Sequence, residues 1–152
     1  MKLMTPVLPL ILALFVGFSV TAAAETTNQW RSPEHVDGAI TTSLQQAKNL
    51  FDEGVVFIDV RNIRLYTKKH IPGAHHLDLK DGFEEQALAA IVKQDQPVVI
   101  YCSGIKCSRS YKASAKAVSW GFTKVHYFRG GIVAWKNAGY PLKYADSPSA
   151  AK

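Results

Sequence analysis

The stretch Pro97-Val98-Val99-Ile100-Tyr101-Cys102-Ser103-Gly104-Ile105-Lys106-Cys107-Ser108-Arg109 decides how this chain folds. Its first part is an uninterrupted apolar run, the pattern of a strand buried on both faces. After Arg109, Tyr111, Ala115 and Val118 recur at helical spacing, so the loop from Ser103 to Ser108 opens into a helix. Cys102 therefore stands between a strand end and a helix N-terminus. Unpaired N–H groups and the helix dipole favour an anion there. A cysteine so placed is expected to be held partly as thiolate, the form that attacks electrophiles.

Outward from this stretch, the same alternation repeats. Ser43 and Gln46 fit a capping box, and the helix they start carries Leu44, Ala47 and Leu50 on one face and ends near Gly54. Val55 to Val60 is apolar until Asp59 and reads as a second buried strand. Ile71-Pro72-Gly73-Ala74 is a turn before a short strand near His76 to Leu79. Phe83, Ala87, Leu88, Ile91 and Val92 predict an amphipathic helix over 83–92. A helix from about Ser108 to Trp120 capped by Gly121 precedes a strand over Lys124 to Phe128. Gly130-Gly131 is a tight turn, and Ile132 to Asn137 a short helix stopped by Gly139 and Pro141. Strands alternating with helices give an α/β domain with a mainly parallel central sheet flanked by helices.

The ends read differently. Lys2 followed by the apolar run from Val7 to Val20 and by Ala22 and Ala24 fits a signal peptide over residues 1–24, cleaved after Ala24. The run is shorter than the roughly 20 residues that a spanning helix needs. This predicts an exported, periplasmic chain with no membrane span in its mature form. The remaining 128 residues suit one domain, and loss of Lys2 takes the formal charge from +6 to +5. Residues 25–37 are polar and form an N-terminal arm or linker whose Trp30 can dock on the domain; 38–142 is the domain; 143–152 is a small, polar, flexible tail. The basic residues are scattered with no stripe, which argues against nucleic acid. Nothing in the sequence sets an oligomeric state.

Separated stretches match one family in order. Ile58-Asp59-Val60-Arg61, Tyr66 and His70-Ile71-Pro72-Gly73-Ala74 resemble the first half of a rhodanese domain. Val99-Ile100-Tyr101-Cys102, Arg109-Ser110 and Gly121-Phe122 resemble its active-site half, and Gly130-Gly131-Ile132, Trp135 and Gly139-Tyr140-Pro141 its closing signature. The resemblance implies a rhodanese-like domain with a five-stranded parallel sheet. It implies sulfur transfer through a persulfide on Cys102, from thiosulfate or a similar small anionic donor to cyanide or a thiol acceptor, without metal or organic cofactor. The usual pattern has Arg-Ser five and six residues after the cysteine; here Arg109 and Ser110 stand seven and eight after it, so the loop is two residues longer.

The loop residues Ser103, Gly104, Ile105, Lys106, Cys107, Ser108 and Arg109 are the candidate substrate-binding set, with Lys106 and Arg109 suited to an oxyanion. Cys107 is a candidate resolving thiol, and in an oxidising compartment a low-pKa thiol beside a second thiol is readily oxidised. A structural disulfide is a poor explanation, because the ring it would close is tiny. Asp59 and Arg61 are expected to anchor loops. Adjacent His75 and His76 point to opposite faces of a strand, and His70 belongs to the family's turn, so no metal site is expected. Three rivals remain. A thiol–disulfide oxidoreductase would use Cys102 and Cys107 but lacks the two-residue spacing. A phosphatase is expected to want arginine where Ser108 stands, and a non-enzymatic module would lack the cysteine.

Overall fold

The computed structural model describes residues 29–145. The signal peptide expected over 1–24 lies outside the described residues, as do the start of the arm and positions 146–152.

Five strands form one parallel sheet: β1 (Ile40–Thr41), β2 (Val56–Asp59), β4 (His75–His76), β5 (Val98–Tyr101) and β6 (Val125–Phe128), in the order β1-β6-β5-β2-β4. The most apolar strand, β5, takes the centre, and all four of its residues are buried. Its alternation divides the core. Val98, Ile100 and, beyond the strand end, Cys102 face one side, with Phe83, Leu88, Ala113 and Phe122. Val99 and Tyr101 face the other, with Ala47, Phe57, Phe128 and Trp135. Full burial of each such aliphatic side chain is worth about 1.5–3 kcal/mol, so a one-residue slip of β5 would carry its core contacts to the wrong face.

The helices α1 (Leu44–Asp52), α2 (Ile63–Lys68), α3 (Glu85–Ala89), α4 (Arg109–Ser119) and α5 (Gly131–Asn137) connect and cover the strands. The capping box at α1 is complete: Ser43 Oγ accepts from Gln46 N–H at 3.3 Å, and Gln46 Oε1 accepts from Ser43 N–H at 2.8 Å. Gly121, at φ 89°, follows α4 in the left-handed conformation that ends a helix.

Three expectations need correction. The helix predicted over 83–92 keeps only Glu85–Ala89, because the backbone is extended at Glu84, with φ −126° and ψ 159°, and Ile91 N–H closes on Leu88 O in a tighter turn at the other end. The tail does not begin at 143: Lys143–Tyr144 forms β7, antiparallel to β3 (Lys69–His70), where the two short segments satisfy each other's backbone groups. The described part of the arm is no free linker. Ser32 N–H donates to Ile105 O at 2.7 Å, Ser32 O accepts from Arg129 Nε and NH2 at 3.1 and 2.9 Å, and Pro33 O accepts from Tyr127 O–H at 3.0 Å. These bonds tie the arm to the end of β6 and to the cysteine loop, while Trp30 stays half exposed.

Candidate active site

Where β5 stops, Cys102 is the next residue, and α4 begins seven positions on at Arg109. The intervening loop is fixed at several points. Cys107 N–H donates to Gly104 O at 2.9 Å, a tight turn that folds the second cysteine back over the first. From the far side, Ile132 N–H reaches Cys102 O at 3.0 Å and Val133 N–H reaches Ser103 O at 3.1 Å, so the first turn of α5 carries the start of the loop. That approach requires Gly131. It has φ 56°, and a Cβ there would lie 2.3 Å from Cys102 O and 2.8 Å from Gly104 N.

Both cysteines are free thiols. Cys102 is fully buried; its Sγ lies 3.1 Å from Ser110 Oγ and 3.7 Å from Cys107 O. Cys107 is half-buried beside it. The two thiols titrate as a pair and are pulled in opposite directions. The bond from the Cys102 thiol lowers Cys107 to about 6 against the opposition of burial, helped by the Arg109 and Ser103 amides and the Arg109 charge. The same hydrogen bond, burial and the Cys107 charge push Cys102 upward, with Ser110 acting the other way. The less buried sulfur keeps more solvation and faces more donors, so the first charge on the pair favours Cys107.

All the candidate loop residues, Ser103 through Arg109, line an open cavity of about 780 Å³ whose other wall is Gly130, Val133, Ala134 and Asn137. Cys102 is not on that surface; Cys107 is. Lys106 is exposed at the rim, and with Ser108 it also borders a smaller cleft containing Trp30, Tyr111 and Lys112.

A family model described as the rhodanese-like domain matches residues 43–138. The chain belongs to the rhodanese family. A protein of Pseudomonas fluorescens named thiosulfate sulfurtransferase GlpE is 35% identical over 101 residues, covering 66% of this chain and 87% of that one. Rhodanese-like domain-containing protein 17 of Arabidopsis thaliana is 28% identical over 150 residues, covering 90% of both chains. Among solved structures, a Bacillus halodurans protein superposes with a TM-score of 0.63 at 24% identity, covering 70% of this chain and 77% of that one, which concerns the fold alone.

In this rhodanese Arg109 is engaged beneath the loop. Its NH1 donates to Val60 O at 3.0 Å and pairs with Asp78. Although burial works the other way, the Lys80 amide and Arg109 hold the Asp78 carboxyl below the usual range. Sequence reading did not single out Asp78, which it placed within the short strand near His76 to Leu79. Nor did it give Ser110 a role of its own, although it quoted the residue within the family pattern. Asp59 and Arg61 form a buried fork, Arg61 Nε to Asp59 Oδ1 at 2.9 Å and NH2 to Oδ2 at 2.6 Å, with NH2 also bonded to Lys69 O at 2.7 Å. His70 stacks on Tyr66 and its Nδ1 lies 2.9 Å from Tyr66 O, while His76 Nε2 lies 2.8 Å from Arg61 O. Among the described residues no group of three His, Cys, Asp or Glu is placed to hold a metal.

Proposed function

We propose that this rhodanese is a sulfurtransferase that carries sulfane sulfur as a persulfide on Cys102. The donor is a small anion of the thiosulfate type, and the acceptor is cyanide or a thiol. The observation that carries the reading is the seating of Cys102 Sγ at the end of β5 with Ser110 Oγ 3.1 Å away, under a loop that lines an open cavity. The name of the Pseudomonas fluorescens relative supports the donor class.

Chemically, the Cys102 thiol first passes its proton to the Cys107 thiolate beside it. The freed Cys102 thiolate attacks the outer sulfur of the donor; that sulfur's bond to the sulfonate breaks, and sulfite leaves with the electron pair. Lys106, exposed at the rim, supplies a cation for the donor's oxyanion. The persulfide anion that remains is held by Ser110 and by amides at the start of α4. An acceptor nucleophile then takes the outer sulfur, and the electron pair of the S–S bond returns to Cys102. No step needs a metal or organic cofactor. The leader read over 1–24 adds the proposal that the mature chain works in the periplasm, which N-terminal sequencing of a fractionated sample would test.

The decisive assay is thiocyanate formation by reduced protein given thiosulfate and cyanide. Cys102→Ser should abolish it and leave the circular dichroism spectrum unchanged. Undiminished turnover in that variant would remove Cys102 as the carrier.

A further inference from the structure

We infer that Cys107 resolves the Cys102 persulfide: its sulfur attacks Cys102 Sγ, expels the outer sulfur as hydrosulfide, and leaves a Cys102–Cys107 disulfide that an external thiol must reopen. This rests on the sulfur-carrier reading and adds an activity to it. A rhodanese with one loop cysteine can only wait for an acceptor. The second thiol gives this chain a way to discharge its sulfur by itself.

The geometry supports the step. The turn closed by Cys107 N–H and Gly104 O folds Cys107 back beside Cys102, whose Sγ lies 3.7 Å from Cys107 O. Cys102 is fully buried and Cys107 lies between it and the cavity. An outer sulfur delivered from the cavity therefore arrives beside Cys107. The persulfide is anionic, and the Ser103 and Arg109 amides it would use already serve the Cys107 sulfur. Departure of the outer sulfur as hydrosulfide takes that negative charge out of the buried loop. Cys107 holds the proton it took from Cys102 and gives it to the outer sulfur as it attacks, so that sulfur leaves as hydrosulfide.

The electrons balance without an outside oxidant. The S–S bond of the persulfide breaks and its pair leaves with the outer sulfur, which takes one proton and departs as hydrosulfide. A new S–S bond joins Cys102 to Cys107, so the two thiols are oxidised as the sulfane sulfur is reduced. Reopening uses a small thiol, which attacks the half-buried Cys107 sulfur from the cavity. Cys102 leaves as thiolate beside Ser110, and a second thiol releases Cys107. The sum converts one donor and two thiols to sulfite, hydrosulfide and one disulfide. The compartment must hold a thiol reductant for this to turn over.

The test is anaerobic addition of one equivalent of thiosulfate to reduced full-length protein with no acceptor, followed by intact mass, peptide mapping and hydrosulfide assay. Wild type is expected to release one equivalent each of sulfite and hydrosulfide and to lose two hydrogens. Cys107→Ser, or Cys107→Ala should the serine disturb the loop, is expected to gain one sulfur atom on Cys102 and release no hydrosulfide. Wild type that keeps the added sulfur, on either cysteine, would overturn the resolving role while leaving a sulfur carrier. If no form releases sulfite, the carrier reading itself fails and takes this inference with it.

Discussion

Ser110 Oγ lies 3.1 Å from Cys102 Sγ, delivered by the first turn of α4 to a sulfur that no solvent reaches. A hydrogen bond to a charged group is worth about 1.5–3 kcal/mol, and here it stabilises the thiolate and the persulfide alike. Ser110→Ala should lower sulfur transfer by about tenfold and raise the pH at which the remaining thiol of a Cys107→Ser background is alkylated. Equal alkylation profiles with and without Ser110 would show that the hydroxyl does not act on the sulfur.

The charge on the thiol pair sets a pH dependence of definite sign. Below about 6 both sulfurs are protonated; above it Cys107 is thiolate and Cys102 stays protonated. Alkylation of wild type should therefore begin at Cys107 and rise through pH 6 with increasing pH. In Cys107→Ser the one remaining thiol is still buried, so its midpoint should move up by about one unit or more. An unmoved midpoint would place the charge on Cys102 after all.

Lys106 stands exposed at the cavity rim. If it binds donor and transition state equally, Lys106→Ala should raise KM for thiosulfate several-fold and leave kcat nearly unchanged. The difference should shrink at high ionic strength, where the screening length falls to a few ångströms. Kinetics at low salt that match wild type would leave Lys106 without a part in donor binding.

Asp59 is fully buried and Arg61 nearly so, and the fork between them also holds the Lys69 carbonyl. Arg61→Ala strands a carboxylate in the core, a change that costs about 3–5 kcal/mol. Tm should fall by on the order of ten degrees, and Asp59→Asn in the same chain should recover part of the loss. A Tm within about two degrees of wild type would mean that the fork contributes little.

Much of this was legible in local pattern. The Val98–Tyr101 run announced the central strand, because a strand covered on both faces must be apolar at every position. Ser43 and Gln46 announced the start of α1, since the capping bonds lie within four residues. The Cys102 junction and the candidate loop could be named on the same grounds. The helix expected over 83–92 is shorter in the fold because its apolar spacing continues through Phe83, which the extended backbone at Glu84 separates from the helix.

What sequence alone determined is whatever depends on near neighbours: the strand–cysteine–loop–helix order, the caps, the glycine turns and the family likeness. Which sulfur keeps the charge was decided only in three dimensions. That depends on how deeply each thiol is buried and on which amides face it, and both follow from the Gly104–Cys107 turn and from α5 packed against the loop. The pairing of Arg109 with Asp78 and of the arm with Ile105 likewise joins residues far apart in the chain. Periodicity reports the face a residue presents, but not the partner that the finished fold brings to it.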